Sequence, residues 1–233
     1  MMPPVERIRA ILKTKSVLGG LADDVLDDLA RRARLARYVK GEVLYRRGDQ
    51  ADNLMVILSG RVKISNITDD AREVVLNFLG EGDLNGELAA LDGKSRSADA
   101  TALEATEVAI LYRRDFIPVL ERNPKALLDI VAALAEKLRM TSAMVEHSLL
   151  QMSGKAANGL LRLANQHGRK IDDGVLVDLK ISQRDLGSYI GLSRENTSRE
   201  LGRLKDEGLI RVEGTQIVIL DMEGLQTWAE ANA

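Results

Sequence analysis

Two side chains of opposite charge mark a short stretch of the chain, "GELAALDGKSRSA", at residues 86–98. Glu87 follows a glycine, and Arg96 precedes a serine and an alanine, with a short polar loop expected between them. A carboxylate accepts hydrogen bonds and a guanidinium donates several, so the pair can hold a small polar ligand from two sides. The plain alternative is a surface ion pair across the loop, which contributes little to stability.

A second group of charged residues lies in "ISQRDLGSYIGLSRENTSRELGRLKDEGLI", which begins at Ile181. Ser182, followed three residues later by an aspartate, is a capping pattern that begins a short helix, and Gly191 ends it. Ser193 can cap a second helix that runs through Asp206. Two short helices joined at a glycine are typical of a helix-turn-helix, whose second helix enters the major groove of DNA.

The start of that second helix carries Arg194, Glu195 and Arg199. Arginine can donate a pair of hydrogen bonds to guanine, and glutamate can accept one from the amino group of cytosine. The following "LIRVEGTQIVIL" predicts a β-hairpin around "EGTQ", which would form a wing beside the helices. Arginine and glutamate at these spacings also occur on solvent-exposed, salt-bridged helices, and the residues alone leave that alternative open.

The composition limits the classes of function. A chain of 233 residues is long enough for two modest domains or one large one. Its net charge is only −2, so any contact with DNA must be local. Aromatic residues make up only 3%, which argues against binding single strands by stacking bases on rings.

Several kinds of site are excluded or disfavoured by residue type. The chain has no cysteine, which excludes disulfides and thiolate metal sites and fits a reducing cytoplasm. Its two histidines cannot by themselves make a three-histidine metal site. No apolar run approaches membrane-spanning length, and "MMPPVERIRA" lacks the apolar core of a signal peptide. The expectation is therefore no metal and no membrane partner.

The elements that would position these residues follow from periodicity. The stretch to about residue 34 predicts helix, because "LADDVLDDLARRAR" repeats apolar residues at helical spacing. From about 36 to 114, short β-rich runs separated by glycines predict a sandwich or a roll-like barrel. Metal-dependent cupin enzymes share this outline, but they need clustered histidine ligands, and residues 36–114 contain none. A cupin-like enzyme is therefore disfavoured, and no catalytic residue is predicted.

A long helix is predicted from about Pro124 to Met152, with two rows of residues spaced seven apart. One row is Val131, Leu138, Val145 and Met152, and the other is Leu127, Leu134, Thr141 and Ser148. Such a seam favours pairing with the same helix of a second copy, although packing on the chain's own barrel remains an alternative. Thr141 and Ser142 would weaken the seam unless they bind something. Gly154 then predicts a hinge before the second set of helices.

Together, these motifs resemble the CRP/FNR superfamily of bacterial transcription regulators, over nearly the whole chain and in the family's order. "GEL" followed by "RSA" is similar to the family's phosphate-binding cassette. "TS" in the long helix and "SRENTSR" in the recognition helix match at the positions that the family uses.

The resemblance implies a cyclic nucleotide as effector, with cyclic AMP favoured over cyclic GMP. Arg96 would pair with the cyclic phosphate, with Ser97 and the adjoining backbone amides completing the anion site. Glu87 would accept a hydrogen bond from the ribose 2′-hydroxyl, and Gly86 would allow close approach of the backbone. Thr141 and Ser142 would reach the adenine, one of them from the other subunit. The predicted nucleotide-binding residues are Gly86, Glu87, Leu88, Arg96, Ser97, Ala98, Thr141 and Ser142.

The resemblance also implies double-stranded DNA as a partner, read as a palindrome of TGTGA-type half-sites. Arg194 and Arg199 would lie on guanines and Glu195 opposite cytosine, so the predicted DNA-binding residues are Ser193, Arg194, Glu195 and Arg199. RNA polymerase is a further partner that the family implies, but no segment that would contact it is recognisable here.

Some residues depart from the family's pattern. Lys137 stands where an arginine is usual, Leu84 where a phenylalanine is common, and Gln151 in place of an aspartate near the hinge. The hinge change leaves open how strictly the nucleotide controls DNA binding, so a protein that binds DNA without nucleotide is the second alternative.

The predicted architecture is α+β in three regions. Residues 1–123 form a cyclic-nucleotide-binding β-roll, a double-stranded β-helix with N-terminal helices. Residues 124–152 form the dimerisation helix, and residues 153–233 form a winged helix-turn-helix.

Overall fold

The computed structural model describes residues 3–232. The outermost positions of the predicted first and last regions, residues 1–2 and 233, lie outside this range. The chain divides into two compact units, Met1–Arg139 and Met140–Ala233. The division falls inside the long helix rather than at its ends, so the three predicted regions stay a prediction.

The first unit begins with two helices, α1 (Pro4–Thr14) and α2 (Asp23–Arg32), as the apolar periodicity predicts. A short 3₁₀ turn, Val17–Gly20, joins them, and its first free amide is satisfied because Leu18 N donates to Ser16 Oγ at 3.2 Å. The inner faces of both helices are buried in one apolar cluster with β-strand residues such as Leu54 and Leu111. The N-terminal helices are therefore part of the unit's core.

The strands of the first unit lie within residues 34–112, close to the predicted segment from about 36 to 114. They are β1 (Arg34–Tyr38), β2 (Val43–Tyr45), β3 (Asn53–Ser59), β4 (Val62–Ile67), β5 (Glu73–Leu79), β6 (Leu84–Asn85), β7 (Asp99–Ala102) and β8 (Thr106–Tyr112). They form two four-stranded antiparallel sheets, in the orders β1-β8-β3-β6 and β2-β7-β4-β5. A second apolar cluster, which includes Met55, Ile57 and Val108, is buried with residues of both sheets. This mixture of helices and antiparallel strands confirms the α+β roll.

Residues Glu87–Asp92 form a short helix, α3, where a polar loop was expected. That expectation was wrong because "LAAL" consists of strong helix formers. A glycine in the left-handed region flanks α3 on each side, Gly86 with φ +78° and Gly93 with φ +73°. The turn from β6 into α3 and the exit from α3 therefore both depend on glycine.

Helices α4 (Arg113–Arg122) and α5 (Pro124–His147) complete this part of the chain. Helix α5 ends at His147, before the predicted end at Met152. The last turn tightens there, because Leu149 and Leu150 donate to carbonyls only three residues back. In addition, Ser148 Oγ donates to Val145 O at 2.6 Å, which competes with continuation of the helix.

The second unit contains the predicted helix-turn-helix and wing. Its elements are α6 (Met152–His167), β9 (Gly168–Ile171), β10 (Gly174–Val177), α7 (Gln183–Ile190), α8 (Arg194–Asp206), β11 (Ile210–Glu213), β12 (Gln216–Ile219) and α9 (Met222–Ala231). The four strands form an antiparallel sheet in the order β11-β12-β10-β9. Gly191 has a φ of +75° and ends α7, which confirms the predicted turn between the two helices.

Candidate functional site

Arg96 is the centre of a polar site in the first unit, where it is only 4% exposed. Its Nη1 donates to the carbonyl of Gly86 at 2.8 Å, and its Nη2 donates to Asn53 Oδ1 at 2.9 Å. The ring of Tyr45 lies against the guanidinium, with 4.2 Å between the ring centroid and Cζ. All three partners are neutral, although the carboxylates of Glu87, Asp49 and Asp52 lie near enough to interact with the charge.

The backbone at Arg96 is fixed by the turn that follows β2. Gly48 N donates to Arg96 O at 2.9 Å, and Arg96 N donates to Asp49 O at 2.9 Å. Gly48 has a φ of +89°, which suits glycine and lets the turn present both groups. Arg96 is therefore held both at its backbone and at its guanidinium.

Gly86 lies directly against Arg96. A Cβ atom added at Gly86 would lie 2.0 Å from Arg96 Nη1 and 2.8 Å from Cζ. No side chain fits there without moving the guanidinium. The glycine predicted for close backbone approach thus also makes room for Arg96.

Glu87, 7% exposed, does not take part in the surface ion pair with Arg96 that was the plain alternative. Its Oε1 accepts from Lys137 Nζ at 2.7 Å, and Lys137 lies on α5 within the same unit. The lysine that departs from the family's usual arginine therefore still provides a cation at this carboxylate. Glu87 and Arg96 are both buried, with different partners.

Electrostatics favour an anion beside Arg96. Burial lowers the pKa of the Arg96 guanidinium below its ordinary value, because the charged form loses its hydration. The nearby carboxylates offset this loss only in part, and a buried cation of this kind is stabilised further when an anion binds to it. The site is thus suited chemically to a phosphate or a carboxylate.

The remaining predicted nucleotide-binding residues surround this centre unevenly. Ala98 is buried, whereas Ser97 and Leu88 are exposed beside the buried pair. Thr141 and Ser142 lie on the part of α5 that belongs to the second unit, and both are exposed. The structure therefore gathers Gly86, Glu87 and Arg96, and it describes the two hydroxyl residues in a separate unit.

The candidate DNA-reading surface lies at the start of α8. Ser193 caps the helix as predicted, since Asn196 N donates to Ser193 Oγ at 3.2 Å. Arg194 and Glu195 are exposed in the first turn. Arg199 follows one turn later and donates from Nη2 to Asn196 Oδ1 at 2.8 Å. These side chains are available at the end of the helix that would enter a groove.

Sequence reasoning missed two buried polar residues of α8. Thr197 is fully buried and donates from Oγ1 to Ser193 O at 2.8 Å. Glu200 is 1% exposed and accepts from Ser153 Oγ at 2.7 Å, while Arg203 Nη1 lies 3.2 Å from its carboxylate. In sequence, Glu200 and Arg203 show only the spacing of a surface ion pair. Nothing in that spacing signals that the glutamate joins α8 to α6.

Helix α5 and the turn that follows it carry a stripe of exposed apolar residues. Successive members are three, four or seven residues apart, so they lie on one side of the helix. Each is more than half exposed: Leu128, Val131, Leu138, Val145 and Leu149. Ser142 continues the same stripe. Leu134 instead packs against the first unit's own core, whereas Leu127, Thr141 and Ser148 of the same predicted row are exposed. The exposed stripe therefore includes Val131, Leu138 and Val145 of the first predicted row.

Two features of the described residues bear on the metal-dependent and membrane-bound alternatives. Among residues 3–232, no group of three or more histidine, cysteine, aspartate or glutamate side chains is placed to hold a metal ion. No helix in that range has the length and apolar character needed to cross a membrane.

Comparison with known protein families shows which family the chain belongs to. Residues 35–123 match the model of the cyclic nucleotide-binding domain, and residues 154–228 match that of the Crp-like helix-turn-helix domain. The cAMP-activated global transcriptional regulator CRP of Escherichia coli O6:H1 is 32% identical over 200 residues, which cover 84% of this chain and 94% of that protein. The chain belongs to the CRP/FNR family of transcription regulators.

Solved structures agree with this CRP/FNR assignment. FixK2 from Bradyrhizobium japonicum has a TM-score of 0.73 and 25% identity, over 84% of this chain and 96% of that one. A CooA mutant from Carboxydothermus hydrogenoformans has a TM-score of 0.76 at 20% identity, over 95% of each chain, and shows the shared fold. The suspected family and the α+β architecture are confirmed.

As a CRP/FNR protein, the chain is a cyclic-nucleotide-responsive, DNA-binding transcription regulator, and the family consists of regulators rather than enzymes. The matched nucleotide-binding region includes Gly86, Glu87 and Arg96, and the matched helix-turn-helix region includes α8. Thr141 and Ser142 lie between the two matched regions, so their role rests on the family motif alone.

Proposed function

We propose that this regulator responds to cyclic AMP and acts as a homodimer on a palindromic site with TGTGA-type half-sites. The observation that carries the proposal is Arg96, a buried cation held by neutral partners beside a glycine that admits no side chain. The relatives named cAMP-activated regulators, at 31–32% identity, favour cyclic AMP as the anion that occupies this place.

Each predicted residue has a role in binding the nucleotide. Arg96 pairs with the cyclic phosphate, and Ser97 adds a hydroxyl beside it. Glu87, already oriented by Lys137, accepts from the ribose 2′-hydroxyl. Leu88 and Ala98 line the site, and Thr141 and Ser142 reach the adenine, one of them from the partner chain. The hydroxyls of α5 are thereby used in a helix face that otherwise favours leucine.

DNA is read by the exposed start of α8. Arg194 and Arg199 donate to guanines, Glu195 accepts from cytosine, and Ser193 holds the first turn in shape. A net charge of −2 means that this attraction depends on the local cations of the helix rather than on the whole molecule.

The homodimer forms through the α5 stripe. An exposed apolar row at heptad-like spacing is the surface that a second identical helix covers. A two-fold dimer places its recognition helices one helical turn of DNA apart, about 34 Å. This spacing fits a palindromic target.

The nucleotide acts by a population shift. Binding favours a conformation in which both copies of α8 meet successive major grooves. The free energy of this conformational equilibrium changes by the difference between the nucleotide's binding free energies to the two states. A 100-fold stimulation of DNA binding corresponds to about 2.7 kcal/mol of coupling.

The decisive experiment is fluorescence anisotropy on a palindromic TGTGA-type duplex with no nucleotide, with cyclic AMP and with cyclic GMP. Binding that requires cyclic AMP supports effector, target and coupling together. Binding that requires cyclic GMP contradicts the choice of effector, and equal binding in all samples contradicts control by nucleotide. Absence of binding in every sample contradicts the half-site. Transcription with RNA polymerase, the remaining predicted partner, then gives the sign of regulation.

A further inference from the structure

Tyr45 connects the two ends of the segment that holds the candidate phosphate site. It closes β2, which pairs with β7, so that Tyr45 is opposite Ala100 and near Arg96. Its ring lies against the Arg96 guanidinium at 4.2 Å. A planar guanidinium over an aromatic face is attracted electrostatically and is also restricted in orientation.

The Tyr45 hydroxyl is used on the opposite side. It donates to Asn85 Oδ1, and Asn85 directly precedes Gly86. Burial raises the pKa of the Tyr45 phenol well above its ordinary value, so the hydroxyl keeps its proton at neutral pH and stays a donor. One side chain thus fixes both Arg96 and the residue next to the close-approach glycine.

Two buried donors in this cluster have no acceptor. Within residues 3–232, no hydrogen-bond partner reaches Arg96 Nε or Asn85 Nδ2, although both side chains are almost fully buried. Buried donors are nearly always satisfied, so an unpaired N–H on a buried cation indicates a missing acceptor. The other two guanidinium nitrogens already donate to Gly86 O and Asn53 Oδ1, so Nε is the one without an acceptor among the described residues.

We propose that Tyr45 is a positioning residue for nucleotide binding: it holds the guanidinium of Arg96 so that the Nε edge meets the cyclic phosphate. This inference rests on the proposed function, because it assumes that Arg96 binds the phosphate. The Tyr45 ring supplies the orientation, and the hydrogen bond from its hydroxyl to Asn85 adds a smaller stabilisation that the orientation does not require.

The test measures binding to the full chain by isothermal titration calorimetry. The ligands are cyclic AMP and its two phosphorothioate diastereomers, in which sulfur replaces one or the other exocyclic oxygen. Tyr45→Leu removes the ring and should lower cyclic AMP affinity by about 10- to 30-fold. It should also move the ratio of the two diastereomer affinities toward one, because a loose guanidinium no longer distinguishes the two oxygens. Tyr45→Phe keeps the ring and should retain the wild-type ratio, with a loss of only about threefold in affinity.

The matched control is Phe116→Leu, which removes a fully buried ring from α4 in the same unit. It should lower the melting temperature and leave the diastereomer ratio unchanged. If Tyr45→Leu behaves like this control, or if Tyr45→Phe fails to restore the ratio, the positioning role is wrong. If Arg96→Ala keeps wild-type affinity, the phosphate assignment of the proposed function is wrong, and the role of Tyr45 is overturned with it.

Discussion

Gly86 is required for two reasons, its backbone conformation and the space that its missing side chain leaves for Arg96. Its φ of +78° lies in the left-handed region, and its missing Cβ leaves the space that Arg96 occupies. Gly93, at the other end of α3, has almost the same backbone conformation but only Arg113 Nη1 near it, at 4.0 Å. Comparing the two separates backbone strain from displacement of the guanidinium.

Gly86→Ala should therefore lose nucleotide affinity by about 100-fold, as expected when charge-assisted hydrogen bonds are misplaced. Gly93→Ala has a similar backbone penalty and should keep its affinity. Calorimetry with cyclic AMP compares the two, and thermal melting shows whether both remain folded. Equal losses in the two variants would show that Arg96 is not the group displaced.

Glu195 is expected to read one base. Glu195→Ala should relax the preference at one position of each half-site, with a change of about 1–3 kcal/mol in discrimination. A binding profile over all single-base variants of the palindrome measures this. Glu207→Ala, at the opposite end of α8, is the control and should leave the profile unchanged. An unaltered profile for Glu195→Ala would count against direct readout.

Among the elements, α7 and α8 meet closely because Gly187 has no side chain. A Cβ there would lie 2.7 Å from Leu192 O and 2.8 Å from Thr197 Oγ1. Gly202, inside α8, has nothing within 4 Å of its Cβ position. The same substitution should therefore have opposite effects in neighbouring helices.

Gly187→Ala should destabilise the second unit by about 1–3 kcal/mol through overpacking. Gly202→Ala should stabilise it by about 1 kcal/mol, because alanine favours the helix interior. Urea unfolding followed by the fluorescence of Trp228, the only tryptophan of the chain, reports on this unit. The same sign for both variants would contradict the described packing.

His147, at the end of α5, is expected to make the stability of the second unit depend on pH. Arg162 Nη1 donates to His147 Nδ1 at 2.6 Å, which requires a neutral imidazole at that nitrogen. Burial, and then the charge of Arg162, lower the pKa of His147 below its ordinary value of 6.5. The folded state therefore binds fewer protons than the unfolded state, and stability falls as the pH drops through 6.5 toward the lowered pKa.

Acidification from neutral pH to about pH 5 should thus lower the urea midpoint of the second unit. His147→Asn should remove this part of the pH dependence, since asparagine does not titrate. Trp228 fluorescence again gives the midpoint. An identical pH profile in the variant would show that His147 does not contribute.

The local elements could be predicted from sequence, because short-range chemistry determines them. Ser182 and Ser193 cap their helices as expected, and Gly191 ends α7. The contacts of Tyr45 with Arg96 and of Glu200 with Ser153 join residues about 50 positions apart, which no periodicity encodes. Glu87 and Arg96 were recognised from a motif, but their actual partners depend on the folded sheets.

At the scale of the whole molecule, the exposed apolar stripe of α5 determines the predicted assembly. Leu138 lies in the middle of the stripe and is 68% exposed. Ile67, on β4, is 53% exposed and lies outside the stripe. A charge at either position leaves the buried core unchanged, so only a partner chain would distinguish the two.

Leu138→Glu should convert the dimer to a monomer, whereas Ile67→Glu should remain dimeric. Sedimentation velocity measures the mass of each variant. The monomer should also lose most of its affinity for a palindrome, because a single copy of α8 reaches only one half-site. A dimeric Leu138→Glu variant would mean that another surface joins the subunits.

In the proposed homodimer, pairing and DNA reading belong to different helices, α5 and α8, and this division has a genetic consequence. We expect a chain with an inactive recognition helix and an intact stripe to pair with normal chains. With both alleles expressed equally, about three quarters of the dimers then contain at least one defective chain. We therefore expect such an allele to be dominant over wild type. We expect a chain altered at Leu138 to stay out of mixed dimers, so that its allele is recessive.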